Sequence, residues 1–339
     1  MYLVNEATAA ELVDMVEAID VIEMAFVQLH RGDAEIFPVV MGHGRTSGSL
    51  FSVKSGAIHP TGVAGVKIGS YWPDNPRSGI PAHASTTLLL DPDTGLPKAL
   101  IAASYLTALR TAASNGVAIR QLSRPDSRSL GLVGAGHQAW FELKAACAVR
   151  PIDRLRVWSR TEAGAERLAA RARRELGIED SRYSPLDQTV STADIIITVT
   201  AARSPLVEQP WVRPGAHISA MGSDAVGKQE LAPDLIAASR LFADSVEQSI
   251  TLGDYETPFA QGLIQRTDVR SIGSVIDGAC PGRQTAQDIT IYDSSGLALQ
   301  DLAIGAYVLD KAMHRGLAEH MPAIGHAHSS LVEMEPLRS

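Results

Sequence analysis

Two cysteines in 339 residues, Cys147 and Cys280, exclude a disulfide framework, and both read as reduced thiols in apolar or turn contexts. Basic charge is also scarce. Thirty Lys and Arg stand against 38 Asp and Glu, for a net charge of −8, so no basic field is offered to nucleic acid. No apolar run approaches the roughly 20 residues that a membrane helix needs. The opening MYLVNEATAAELVDMVEAIDVIEMAF is studded with acids, unlike a signal or transit peptide. These shortages predict a soluble, cytoplasmic chain with no nucleic-acid or membrane partner. Metal ligation is not expected either: His43, His59, His83 and His137 are scattered, without H-x-x-x-H or Cys/His spacing. His320, His326 and His328 cluster in a tail that reads as solvated and, from Met321 on, loosely held. Neither a G-x-S-x-G elbow nor a P-loop is present.

What is present is a globular composition, 45% hydrophobic and 20% charged, in a chain long enough for two domains. After a short strand, Thr8 and Glu11 have capping-box spacing. Leu12, Met15, Val16, Ile19 and Ile22 continue at helical spacing until Gly32. From Glu35 to Leu100 short strands take over, and Asp93-Thr94-Gly95 supplies a hairpin turn. SYLTALRTAASNGVAIRQLS returns to helical periodicity. Beyond it, from about Arg128 to about Ile291, helices alternate with apolar strands such as STADIIITVT, AHISAMG and SRLFADS. That alternation predicts an α/β, Rossmann-type doubly wound parallel sheet. SSGLALQDLAIGAYVLDKAMHRGLAEH reads as a long final helix.

GLVGAGHQA follows an apolar run and opens a helix, the setting in which a glycine turn cradles a dinucleotide. Gly134 allows the tight turn, Gly136 lets pyrophosphate approach the backbone, and Ala139 replaces the third glycine. His137 falls within the loop, and the helix N-terminus offers free N–H groups to phosphate. The next strand ends in Ser159-Arg160-Thr161, where an NAD site carries an acid for the ribose 2′-OH. An arginine fork and two hydroxyls suit a 2′-phosphate, so NADP(H) is the preferred cofactor, with NAD(H) possible. Lys67 and Arg110, ahead of this fold, are natural anchors for a substrate carboxylate, though each singly also fits a solvated surface cation. Asp224 lies past the carboxyl end of an apolar strand, where doubly wound sheets place their active sites; a helix cap or Asx turn is the alternative.

Over nearly its full length the chain resembles the ornithine cyclodeaminase/mu-crystallin family. The resemblance is carried by GVKIGSYWPDN, GIPAHASTTLLLDPDTGLPKAL, LTALRTAA, GLVGAGHQA, VWSRT, ADIIITVT, GSDAVGKQEL and ITIYDSSGLALQDLAIGA. It implies a homodimer whose Rossmann domain, 116–299, is inserted in an α+β substrate-binding and dimerisation domain, 1–115 with 300–339. It also implies hydride chemistry at the carbon of a small α-imino or α-amino acid. Lys67 and Arg110 would hold the α-carboxylate with Thr86 nearby. Asp224, close to Lys67 in a closed cleft, would handle the nitrogen proton, with Lys67 also part of the catalytic set. Thr111, the loop Gly134, Ala135, Gly136, His137 and Gln138, the tip Ser159–Thr161, Thr200, Ser295 and Gly296 would contact the cofactor. One departure stands out. Met41 occupies the position where many members carry a substrate arginine, with Arg45 four residues on as a substitute. Lys54 adds a cation of the kind a second substrate carboxylate wants, and FPVV…KSG resembles a branch that includes iminosuccinate reductases. The activities implied are an NAD(P)H-dependent imine reductase or amino-acid dehydrogenase, a cyclodeaminase, or an NADPH-dependent ligand-binding protein.

Overall fold

The structure, a computed structural model, describes residues 1–322; His326 and His328 lie outside the described residues. Two eight-stranded sheets organise it. The second in the chain is wholly parallel, in the spatial order Asp180–Tyr183, Arg154–Trp158, Ser129–Val133, Ile195–Thr198, His217–Ala220, Thr290–Asp293, Arg240–Ala243, Val269–Ser271. Its central strands are buried on both faces, which is why Ile195–Thr198 reads as an unbroken apolar run. Strand order reverses between Ser129–Val133 and Ile195–Thr198, the switch point at which such sheets open a crevice. The last strand, Thr290–Asp293, returns to the middle of the sheet and delivers the chain to the seam with the other layer.

The first sheet runs Glu319–His320, Tyr2–Val4, Pro97–Ala102, His83–Leu90, Val63–Tyr71, Leu50–Ile58, Ala34–Ile36, with Val40–His43 also on Leu50–Ile58. Its register decides which side chains can meet. Lys54, Lys67 and Thr87 stand in one cross-strand row. The next row is Met41, Ser52, Gly69 and Ser85, and a third holds His43, Leu50, Tyr71 and His83. Side chains alternate along a strand, so these rows share a single face. The helix Ala298–His314 packs across the deep end of that face, on Leu50–Ile58, Val63–Tyr71 and His83–Leu90. The helix Ser104–Leu122 is mostly buried and packs against both Met15–Arg31 and the glycine-loop helix His137–Val149.

The N-terminal helix differs from its expectation. Asn5, not Thr8, caps Glu6–Leu12 by accepting from the Thr8 N–H, which puts Thr8 inside the helix. Val13 is extended, and Asp14 with Glu17 forms the actual capping box of Met15–Arg31, which Gly32 ends at φ +77°. Both helices carry the same apolar spacing, so periodicity alone could not show the break.

Candidate active site

Three cations converge where the two layers meet. Lys67, 5% exposed, donates from Nζ to Asp301 Oδ1 at 2.9 Å. Arg110, equally buried, donates from Nε to the same oxygen at 2.8 Å and from Nη1 to Gln300 Oε1 at 2.7 Å. Lys54 donates to the Gly296 carbonyl at 2.7 Å. Burial pushes the Lys67 ammonium down to about 7 against the pull of Asp301, and Arg110 and Lys54 add to the fall. Burial also lowers Lys54, with Arg110 adding to it. For Asp301 burial works upward, but Arg110 and Lys67 overcome it and hold the carboxyl below the usual range. Its second oxygen, Oδ2, is buried with no partner among the described residues. Three cations gather where one carboxylate pairs with two of them, Lys67 and Arg110, a setting for an anionic ligand.

Asp244 fastens the seam. It accepts from the Ser294 hydroxyl at 3.0 Å and from the Gly296 N–H at 2.8 Å, while Ser295 donates to it from both backbone and side chain. Gly296 sits at φ +79°, and a Cβ there would meet Arg110 Nη1 at 2.8 Å. The residue must be glycine for conformation and for space.

The glycine loop fits a dinucleotide. At Gly134, φ is +121° and a Cβ would lie 2.7 Å from the Val199 carbonyl, whereas a Cβ on exposed Gly136 would meet nothing within 4 Å. That open space stands at the first turn of His137–Val149, whose N–H groups can receive pyrophosphate. Ala135 and exposed His137 line the same loop. Gln138 does not point there: its amide donates to the Ala108 carbonyl and to buried Glu142, tying two helices together. The hydroxyl of Thr111 is likewise turned back onto Thr107 O at 2.8 Å. At the next strand tip Arg160 is exposed with no ion pair among the described residues, and Ser159 donates to Thr161 O at 2.7 Å. Arg167, one helical turn on, brings Nη2 within 3.8 Å of the Cβ position of Gly164, beside the Ser159 and Thr161 hydroxyls. Sequence spacing did not single it out.

Thr200 and the Asp224 loop are held by one fully buried acid, Glu230. Its carboxylate accepts from Thr200 N at 2.6 Å, Thr198 Oγ1 at 2.7 Å and Gly222 N at 2.9 Å. Burial raises its pKa to about 7, helped by the charge of Asp254. Asp224 itself is not enclosed beside Lys67 as expected. Its side chain is 62% exposed and accepts from Lys228 Nζ at 2.5 Å. It nevertheless faces the site: its charge acts on Lys54 and on His83, and His83 also senses His137 and Lys228. Those interactions put the Lys54–His83 face of the first sheet within electrostatic reach of Asp224, Lys228 and His137.

Two expected substrate residues are not brought in. Thr86 is exposed and pairs with Ile68, one residue out of step with the Lys67–Thr87 row, so it lies on the opposite face. Arg45 sits in an exposed turn between Val40–His43 and Leu50–Ile58 and makes no ion pair among the described residues. Met41 does share the site face, beside Ser52. Asp301 and Gln300 went unnoticed in the sequence; their signal is a polar pair inside the apolar run LALQDLAIGA.

Residues 2–316 match the model of a family described as the ornithine cyclodeaminase/mu-crystallin family. The chain is 39% identical over 324 residues to the iminosuccinate reductase of Paracoccus denitrificans, covering 95% of this chain and 99% of that one. The crystal structure of that enzyme in complex with NAD+ superposes with a TM-score of 0.89 at 37% identity, over 94% and 98% of the two chains. Thermococcus litoralis Δ1-pyrroline-2-carboxylate reductase, in complex with NADH and L-proline, gives a TM-score of 0.89 at 30% identity over 95% and 100%. An archaeal alanine dehydrogenase dimer with bound NAD gives 0.89 at 31% over 95% and 99%.

Proposed function

The chain belongs to the ornithine cyclodeaminase/mu-crystallin family, and from that premise we propose that it is a nicotinamide-dependent imine reductase acting on a small α-imino acid, equivalently an amino-acid dehydrogenase. The observation that carries this reading is the buried pair Lys67 and Arg110 on Asp301, with half-buried Lys54 beside them on the Gly296 carbonyl, facing a dinucleotide crevice. Lys67 and Arg110 take the α-carboxylate and so fix the imine carbon. When bound, the nicotinamide supplies hydride to that carbon and a proton goes to nitrogen, leaving amino acid and oxidised cofactor. Asp224, or a water it holds, delivers the proton from across the cleft. Lys67, with its pKa near neutrality, completes the acid–base pair. A four-carbon dicarboxylic imino acid stands first among substrates, given the relative's activity and the positive pocket.

For the cofactor we favour NADP(H). Arg160 and Arg167 support it, and no carboxylate precedes Glu162 at the strand tip. The relatives' structures hold NAD+ or NADH, so the reading rests on Arg160 and Arg167 of this chain. Residues 116–299 act in this scheme as the nucleotide unit and the remainder as the substrate unit, in a homodimer.

The test is oxidation of NADPH and NADH with oxaloacetate or pyruvate plus ammonia, and with cyclic ketimines. Turnover is expected. Asp224→Asn should cut kcat on the order of 10²–10⁴-fold, and Arg160→Ala should narrow the NADPH-over-NADH ratio. Ammonia and proline formed from ornithine with catalytic NAD would instead identify a cyclodeaminase. Tight NADPH binding with no turnover on any substrate would identify a ligand carrier.

A further inference from the structure

The imine-reductase reading leaves the substrate's side chain without a seat, and the register of the first sheet offers one. Ser52, Gly69 and Ser85 stand abreast on the site face, one row from Lys54, Lys67 and Thr87. Two residues along a strand is about 7 Å. The point that a Cβ on Gly69 would occupy lies 3.5 Å from Ser52 Oγ, 3.9 Å from Ser85 Oγ and 3.8 Å from Lys67 Cε. Glycine therefore leaves a notch on which two hydroxyls and the Lys67 stem converge. Among the described residues neither hydroxyl has a hydrogen-bond partner; Ser85 donates only from its backbone N–H, to Ser104 Oγ at 3.2 Å. Gly69, Ser52 and Ser85 are all half-buried, so the notch opens to the cleft. Lys54, expected to meet a second carboxylate, is occupied by the Gly296 carbonyl. Met41, on the Ser52 side of the row, contributes no charge.

We propose that the Ser52–Gly69–Ser85 notch is the side-chain subsite, and that it takes the distal carboxylate of a four-carbon imino acid. The two hydroxyls donate to that carboxylate while Lys67 and Arg110 hold the α-carboxylate one row deeper. The positive field of the trio favours a second negative charge over the ammonium of a diamino acid. The missing Cβ makes the room. This rests on the imine-reductase reading.

Gly69→Ala separates this from a structural role, because the added methyl would meet both hydroxyls at ordinary van der Waals distance. The variant should therefore keep its melting temperature. Steady-state rates are compared with oxaloacetate plus ammonia and with pyruvate plus ammonia. Gly69→Ala should lower the ratio of kcat/KM for the four-carbon over the three-carbon substrate by about tenfold or more, mostly through KM. Ser52→Ala and Ser85→Ala should each lower it by about tenfold, the loss of one charge-assisted hydrogen bond. A ratio unchanged in all three variants overturns the subsite alone, as does a Gly69→Ala defect expressed in the KM for NADPH. Wild type active only on cyclic ketimines overturns the subsite, and wild type inert on those as well overturns the reductase reading and the subsite with it.

Discussion

Asp301 is the shared partner of Lys67 and Arg110, the two cations proposed to hold the substrate carboxylate. It pairs with both through one oxygen, and it alone pulls the Lys67 ammonium back up against burial. A buried lysine near 7 has a folded pKa below its unfolded value of about 10.4. The unfolded chain then binds more protons between those pH values, so this residue's drag on stability eases as pH climbs through that window. Function runs the other way. In the proposed role the free enzyme needs Lys67 charged to receive a carboxylate, so kcat/KM should fall as pH rises through about 7. Asp301→Asn removes the upward pull, and the falling limb should move to lower pH. Stability should drop as well, on the order of 3–5 kcal/mol for a broken buried pair. A pH–rate profile separates the two effects, since a purely structural loss lowers the whole curve without shifting the limb. Lys67 and Arg110 were legible in the sequence as cations placed ahead of a dinucleotide fold. Their shared partner was not, because Asp301 lies 234 and 191 positions away and meets them only through the sheet–helix packing. Thr86 shows the same limit at the smallest step: one residue along a strand exchanges the site face for the back.

At the scale of elements, the glycine loop and the parallel strands were readable because local rules decide them: an apolar strand, a turn that only glycine can make, a helix N-terminus. The Asp224 loop was readable as a position but not as a conformation, which depends on Glu230. That acid lies in the short strand Gln229–Leu231 and supports Gly222 and Thr200, in the loops after two neighbouring strands of the parallel sheet, with one carboxylate. A Cβ on Gly222 would lie 2.6 Å from Glu230 Oε2, so loop and acid fit without slack. Glu230→Gln presents an amide N–H₂ where backbone donors already point, and one loop must let go. The expected result is a fall in kcat of at least about tenfold. If Glu230 acts by positioning Asp224, the loss should largely vanish in an Asp224→Asn background. A double-mutant cycle measures this directly. Strictly multiplicative losses would mean that Glu230 supports the fold and does not position Asp224.

The molecule as a whole presents a second consequence of the same register. The row behind the site is Val40, Val53, Ile68, Thr86 and Ala102. Val40 is 60% and Ile68 47% exposed, and Phe37 and Val39, just ahead of Val40 in the chain, are exposed too. Exposed apolar side chains on a sheet face are characteristic of subunit contacts. A relative with a TM-score of 0.89 is an alanine dehydrogenase dimer. The expected assembly is a two-fold dimer through this face, placing the floor of each substrate site against the partner. Such a contact would be self-complementary, each row meeting its own copy. Ile68→Glu combined with Val40→Glu plants like charges on both sides of the contact. Light scattering coupled to size exclusion should then report the mass of one chain where the unaltered protein gives two. Because dimer contacts add to folding free energy by mass action, the charged variant should also melt lower, and the melting temperature of the unaltered protein should rise with its concentration. Retention of the dimer in the doubly charged variant would move the interface to another surface and leave this face without a partner.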